Sequence, residues 1–198
     1  MTETTLHTNE LEEKNDIITL GFWVYLMTDL IMFAVLFATY AVLHTSTFSG
    51  PTANEIFSLP FVLIETLILL TSSFTVGLSM LALKEQKTSS VLTWLSVTTL
   101  LGATFLAMEL YEFKNLFHEG ASFTRSAFLS SYFVLVGTHG LHIAIGLLWI
   151  VIMIIVVVRH GLSASNSRKL VLFSLFWHFL DIVWIFIFTI VYLIGTMR

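Results

Sequence analysis

Eight ionisable side chains interrupt five stretches of sequence that are otherwise long enough and apolar enough to cross a bilayer: Asp29, Glu65, Glu109, Glu112, His139, His142, His178 and Asp181. A segment of about 20 apolar residues spans the hydrocarbon. A charge at its centre costs about 3 kcal/mol on insertion scales. A chain that retains so many such groups must hide them from lipid, pair them or use them.

The stretches run from Ile18 to Leu43, Pro60 to Leu83, Val91 to Phe113, Phe128 to Val158 and Leu170 to Ile194. With 57% hydrophobic and only 11% charged residues, the chain falls far from the roughly 25% charge of a soluble domain. The short alternating segments of a β-barrel are absent. The expected fold is all-α: a polytopic membrane bundle of five transmembrane helices over 18–198, preceded by a polar, acidic tail over 1–17. Linkers of about 7 to 16 residues imply that helices adjacent in sequence pack antiparallel. No soluble domain or internal repeat is visible.

The tail fits neither a secretory signal nor an Arg-rich transit peptide, and it reads as a short, mobile cytoplasmic leader. Basic residues set the expected orientation. With the N-terminus inside, Lys14, Lys84, Lys87, Arg159, Arg168 and Lys169 lie on the cytoplasmic side, and Lys114, Arg125 and Arg198 on the other. This predicts an inside N-terminus and an outside C-terminus. Trp23 and Trp94, with Tyr40, Tyr111 and Tyr192, fall near span ends and are expected in interfacial belts. Ala34/Ala38, Ser73/Gly77 and Gly140/Ala144 are small-xxx-small pairs of the kind that lets helices approach closely in lipid.

Several classes are excluded. The chain has no cysteine, hence no disulfide and no thiolate metal site. No basic patch or nucleic-acid motif is present, so no nucleic-acid partner is expected.

With a rise of 1.5 Å per residue, the polar residues sort into two layers. Glu65, Glu109 and Glu112 lie toward the outer side. Asp29, His139, His142 and Asp181 lie near mid-membrane, with His178 one turn toward the cytoplasm. Glu109/Glu112, His139/His142 and His178/Asp181 are i,i+3 pairs sharing a face, and those faces are expected to point into protein. Three uses remain open. The groups can form buried interhelix hydrogen bonds. They can ligate a metal or haem, although the Glu-x-x-His pattern of bundle di-iron sites is missing. Asp29 or Asp181 can relay protons.

Two strings narrow the field. Trp177-His178-Phe179-Leu180-Asp181-Ile182-Val183-Trp184 resembles the signature of the last helix of subunit III of haem-copper terminal oxidases. Thr138-His139-Gly140-Leu141-His142 resembles another landmark of that family, as do Leu59-Pro60-Phe61-Val62-Leu63 with Glu65-Thr66, and Glu109-Leu110-Tyr111-Glu112-Phe113. The resemblance covers the chain from about Gly21 to the C-terminus. The stretch from Gly21 to Asp29 and the five-span length are closest to the branch found in cytochrome o-type ubiquinol oxidases; some bacterial cytochrome c oxidases share that length.

The resemblance implies a non-catalytic supporting subunit in a bacterial inner membrane. No cofactor is expected in this chain; haem and copper belong to the partner subunit I. Other partners implied are phospholipids, bound in a cleft between helices, and the ubiquinol consumed by the complex. A role in sustaining proton uptake is also implied. Asp29 matches a family position usually held by glutamate. Arg159 matches one associated with lipid headgroups, and is also what an ordinary snorkelling, positive-inside arginine looks like. The eight buried acids and histidines are expected to form a polar scaffold between helices.

Overall fold

The computed structural model describes residues 3–48 and 56–196. Five long helices account for nearly all of them: α1 (Glu3–Leu43), α2 (Leu59–Lys84), α3 (Thr88–His118), α4 (Ala127–His160) and α5 (Ala164–Ile187). The last continues through a π-helical turn, Phe188–Leu193, to Thr196. Each carries a segment long and apolar enough to span a bilayer, from Asp16–Leu43 in α1 to Ala164–Thr196 in α5. The chain is a multi-pass membrane protein.

Local chemistry sets the ends. Pro60 lies in the first turn of α2, where its missing N–H has no helical partner in any case. Ser126 caps α4 by accepting from the Leu129 N–H at 3.1 Å. Ser163 caps α5 by accepting from the Asn166 N–H at 3.2 Å. Gly161 ends α4 with φ of 66°, a left-handed conformation that glycine adopts without a Cβ clash. The sequence places the first helix at Ile18, behind a mobile leader. In the structure α1 already begins at Glu3, upstream of the apolar segment, because nothing in the tail breaks a helix: it has no proline or glycine.

Helices α2, α3, α4 and α5 form a closed four-helix ring in which each packs on its neighbours and α2 meets α5. Helix α1 lies outside the ring, over α4 and α5. The paired residues give the directions. Along α5, Trp177 meets Ser72 and Trp184 meets Thr66 of α2, so these helices are antiparallel. Along α1, Phe22 meets Trp149 and Tyr40 meets Phe128 of α4, also antiparallel. Phe33 and Phe37 follow Phe179 and Phe186 of α5 in parallel.

Outward faces are apolar: Leu100, Leu141 and Leu148 are all well exposed, as expected of surfaces that lipid covers. The core is aromatic. Phe33, Phe105, Phe128, Tyr132, Phe173, Phe176, Trp177, Trp184 and Tyr192 are all fully buried. Of the residues expected in interfacial belts, Trp23 and Tyr111 are exposed, whereas Tyr40 and Tyr192 are buried. Those two hydroxyls find partners inside the bundle, which makes burial affordable for a phenol.

Candidate functional site

The eight ionisable residues divide into three groups, each on a different helix contact. The first lies inside the ring. Glu65 of α2 and Glu109 and Glu112 of α3 are all buried. Tyr192 of α5 donates its hydroxyl proton to Glu112 Oε2 at 3.0 Å, and the Tyr132 and Tyr192 hydroxyls are 2.9 Å apart. Neither oxygen of Glu65 or Glu109 has a hydrogen-bond partner within the chain. Glu109 lies against α4: a Cβ on Gly140 would stand 2.5 Å from Glu109 Oε1. That carboxyl group is the end of a flexible side chain, which a methyl group on Gly140 would oblige to shift.

His139 flanks this group. It is fully buried, stacked at a tilt on Trp184 with centroids 5.1 Å apart, and edge-on to Phe105 at 5.8 Å. Its Nε2 lies 3.3 Å from the Leu180 carbonyl oxygen. Its Nδ1 has no partner.

The second group joins α1 to α4. Asp29 Oδ2 is 3.7 Å from His142 Nε2, too far for a direct hydrogen bond. His142 Nδ1 is 2.7 Å from the Thr138 carbonyl oxygen. That contact assigns the Nδ1 proton, leaving Nε2 toward the carboxyl group. His139 and His142, one turn apart, thus serve different neighbours: the first faces the ring interior, the second faces α1.

The third group joins α2 to α5. Ser73 Oγ is 2.7 Å from His178 Nδ1, and Asp181 borders the groove that these two residues share. Asp181 Oδ1 is buried with no partner. His178 borders two concavities at once. One is an apolar cleft of about 650 Å³ between α1 and α5, lined also by Trp23, Leu30, Phe33, Phe179 and Phe186. The other is a groove between α2 and α5.

Arg159 belongs to none of these groups. It is exposed in the last turn of α4, at the bundle end that also holds Trp23, since α1 and α4 run antiparallel.

Sequence reasoning did not find the hydroxyl ladder that holds these groups in place. The Trp177 and Trp184 indoles donate to Ser72 and Thr66, and Thr75 meets Thr98 at 2.8 Å. Nor did it find Tyr132 as the partner of Tyr192. One cue was available: indoles and small hydroxyls at matching depths.

Chemically these arrangements offer hydrogen-bond acceptors, exchangeable protons and an apolar cleft. Among the described residues, no three His, Asp or Glu side chains converge in a metal-holding arrangement.

Comparison with known proteins agrees with this architecture. A family model described as cytochrome c oxidase subunit III matches residues 1–196. The chain is 54% identical over 178 residues to the cytochrome bo(3) ubiquinol oxidase subunit 3 of Pseudomonas putida, covering 90% of this chain and 86% of that one. It is 48% identical over 185 residues to the cytochrome c oxidase subunit 3 of Bacillus sp. (strain PS3), covering 93% and 88%. It is 46% identical over 176 residues to the quinol oxidase subunit 3 of Bacillus subtilis (strain 168), covering 89% and 86%. The five-helix bundle, the signature strings it buries and these relatives converge: the chain belongs to the cytochrome c oxidase subunit III family.

Proposed function

We propose that the chain is the non-catalytic third subunit of a proton-pumping cytochrome o-type ubiquinol oxidase in a bacterial inner membrane, with its N-terminus inside and its C-terminus outside. The complex oxidises ubiquinol and reduces dioxygen to water on haem and copper held by the large subunit I. The observation that carries this reading is the 54% identity to a ubiquinol oxidase subunit 3 along nearly the whole chain. In this reading the buried acids and histidines are interhelix hydrogen-bonding groups that fix the bundle against subunit I. Asp29 supports proton delivery over many turnovers.

Phospholipid is the second ligand class. The cleft between α1 and α5 is apolar along its length and is bounded by Trp23 at one end of the bundle. Acyl chains fit such a surface, and the exposed Arg159 at the same end supplies a cation for a headgroup phosphate.

The test is gentle solubilisation and identification of the co-purifying chains. A large haem- and copper-bearing partner and a ubiquinol-driven, dioxygen-consuming activity are the expected result. The second reading, a bacterial cytochrome c oxidase, is favoured by the 48% identity to such a subunit in Bacillus. Oxidation of reduced cytochrome c with no response to ubiquinol would replace the first reading by the second. Absence of any haem-bearing partner would remove both.

A further inference from the structure

Glu65 and Glu109 are only 0% and 1% exposed, and all four of their carboxyl oxygens lack a hydrogen-bond partner within the chain. Glu112 lies within electrostatic reach of both. Among the described residues no ion pair offsets them. Lys114 lines a different concavity, with Leu110 and Phe117. From α4, His139 turns its Nε2 to the Leu180 carbonyl. Tyr132 of α4 and Tyr192 of α5 also face the cluster; they bond each other, and Tyr192 bonds Glu112. Three unpaired carboxyl groups cannot all ionise in such an interior, so the cluster holds protons. Its unpartnered oxygens call for donors that the chain does not supply.

A second, independent feature is the way in. A groove of about 240 Å³ lies where α2 begins and α3 ends, bordered by Ser58, Phe61, Glu112, Asn115 and Glu119. Ser58, Asn115 and Glu119 are exposed, and the groove has room for several waters. Glu112 closes its inner end within the last two turns of α3, with the two buried acids behind it. Toward the middle of the bundle, Phe105 sits one turn from Glu109 and packs edge-on against Trp184 with centroids 4.7 Å apart. The acids thus lie between a polar groove on one side and aromatic carbon on the other.

We propose that Glu65, Glu109 and Glu112 form a hydrated proton-binding site, in which bound water bridges the two buried acids to Glu112 and protons exchange with the aqueous phase through the groove at Ser58 and Asn115. A proton leaving Glu112 passes to groove water as hydronium. A buried acid replaces it through the bridging water, so the negative charge moves one carboxyl group inward and no other bond changes. This role goes beyond fixing the bundle and is independent of the electron donor that the complex uses.

The experiment is infrared difference spectroscopy of the intact complex moved from light to heavy water, which reads carboxylic-acid C=O stretching bands and the rate at which they shift on deuteration. Glu65→Gln and Glu109→Gln are each expected to remove one deuterium-sensitive acid band. Glu65→Asp, which keeps a carboxyl group, is expected to move its band rather than abolish it, so the assignment does not rest on a variant that assembles poorly. Asn115→Trp, at an exposed position, fills the groove and is expected to slow deuteration of these bands several-fold. Leu81→Trp, exposed near the other end of α2, is expected to leave the rate unchanged. Absence of both acid bands would show the buried pair ionised. Bands that never shift, or that shift as fast in Asn115→Trp as in the wild-type complex, would show the cluster closed to the groove. Each of these results overturns the proposal and leaves the subunit assignment intact.

Discussion

The indole N–H of Trp177 donates to the Ser72 hydroxyl at 3.0 Å, tying the middle of α5 to the middle of α2. The same ring fills the space left by two glycines. A Cβ on Gly102 of α3 would stand 2.8 Å from Trp177, and one on Gly146 of α4 would stand 2.9 Å from it. One side chain thus touches all three other helices of the ring, and its position depends on the absence of two methyl groups. The Ser72 hydroxyl can accept because its own proton goes to the Leu69 carbonyl at 2.7 Å.

Gly102→Ala and Gly146→Ala each force a rigid indole to move. Each is expected to cost about 1–3 kcal/mol by overpacking, despite alanine's better helix propensity of about 1 kcal/mol. Thermal unfolding of the purified complex, followed through this subunit, measures it. If the indole is the obstacle, Trp177→Phe combined with either alanine will recover much of the loss; two independent effects would instead add.

Gly140→Ala meets a different obstacle, the end of the Glu109 side chain. A carboxyl group on a flexible stem can retreat where an indole cannot. Its cost is therefore expected to fall below that of Gly102→Ala, and Glu109→Asp, which draws the carboxyl group back by one methylene, is expected to restore stability. A double-mutant cycle on unfolding temperature checks this, with coupling of about 0.5–3 kcal/mol between contacting residues.

Tyr192→Phe deletes a donor that Glu112 uses at 3.0 Å and that links it to Tyr132. The ring still packs against Phe57, 4.8 Å away between centroids. The expected loss of about 1–3 kcal/mol thus reports the buried oxygens left without a proton donor. Tyr132→Phe leaves the Tyr192–Glu112 bond in place and is expected to cost less.

Much of this was legible in the sequence and some was not, for physical reasons. Five helices follow from apolar length alone, since lipid offers a backbone no other partner. The common depth of Glu65, Glu109 and Glu112 follows from helical rise. What spacing could not resolve is which neighbour each residue of an i,i+3 pair meets. Helix α4 sits between α5 and α1, so His139 and His142 diverge to Leu180 and Asp29. The serine and threonine ladder was silent because such hydroxyls usually bond within their own helix. Thr66 does so to the Val62 carbonyl and still accepts from Trp184. Tyr192 sits in the π-helical turn Phe188–Leu193, a local change of register that residue spacing cannot foretell.

The contrast between two buried aspartates separates structure from proton handling. Asp181 lies beside Ser73 and His178 in the α2/α5 contact, so Asp181→Asn, which keeps a polar group able to hydrogen-bond, is expected to assemble better than Asp181→Leu. Asp29 faces a histidine across 3.7 Å without a direct bond. Asp29→Asn is expected to remove the ionisable carboxyl group while leaving the contact between α1 and α4. The complex carrying Asp29→Asn or Asp29→Ala is therefore expected to assemble and start turnover at the wild-type rate. It should then lose activity sooner, or retain less phospholipid. Progress curves for dioxygen consumption together with bound-lipid analysis decide the matter. Wild-type lifetime with wild-type lipid content would show that Asp29 serves only to join α1 to α4.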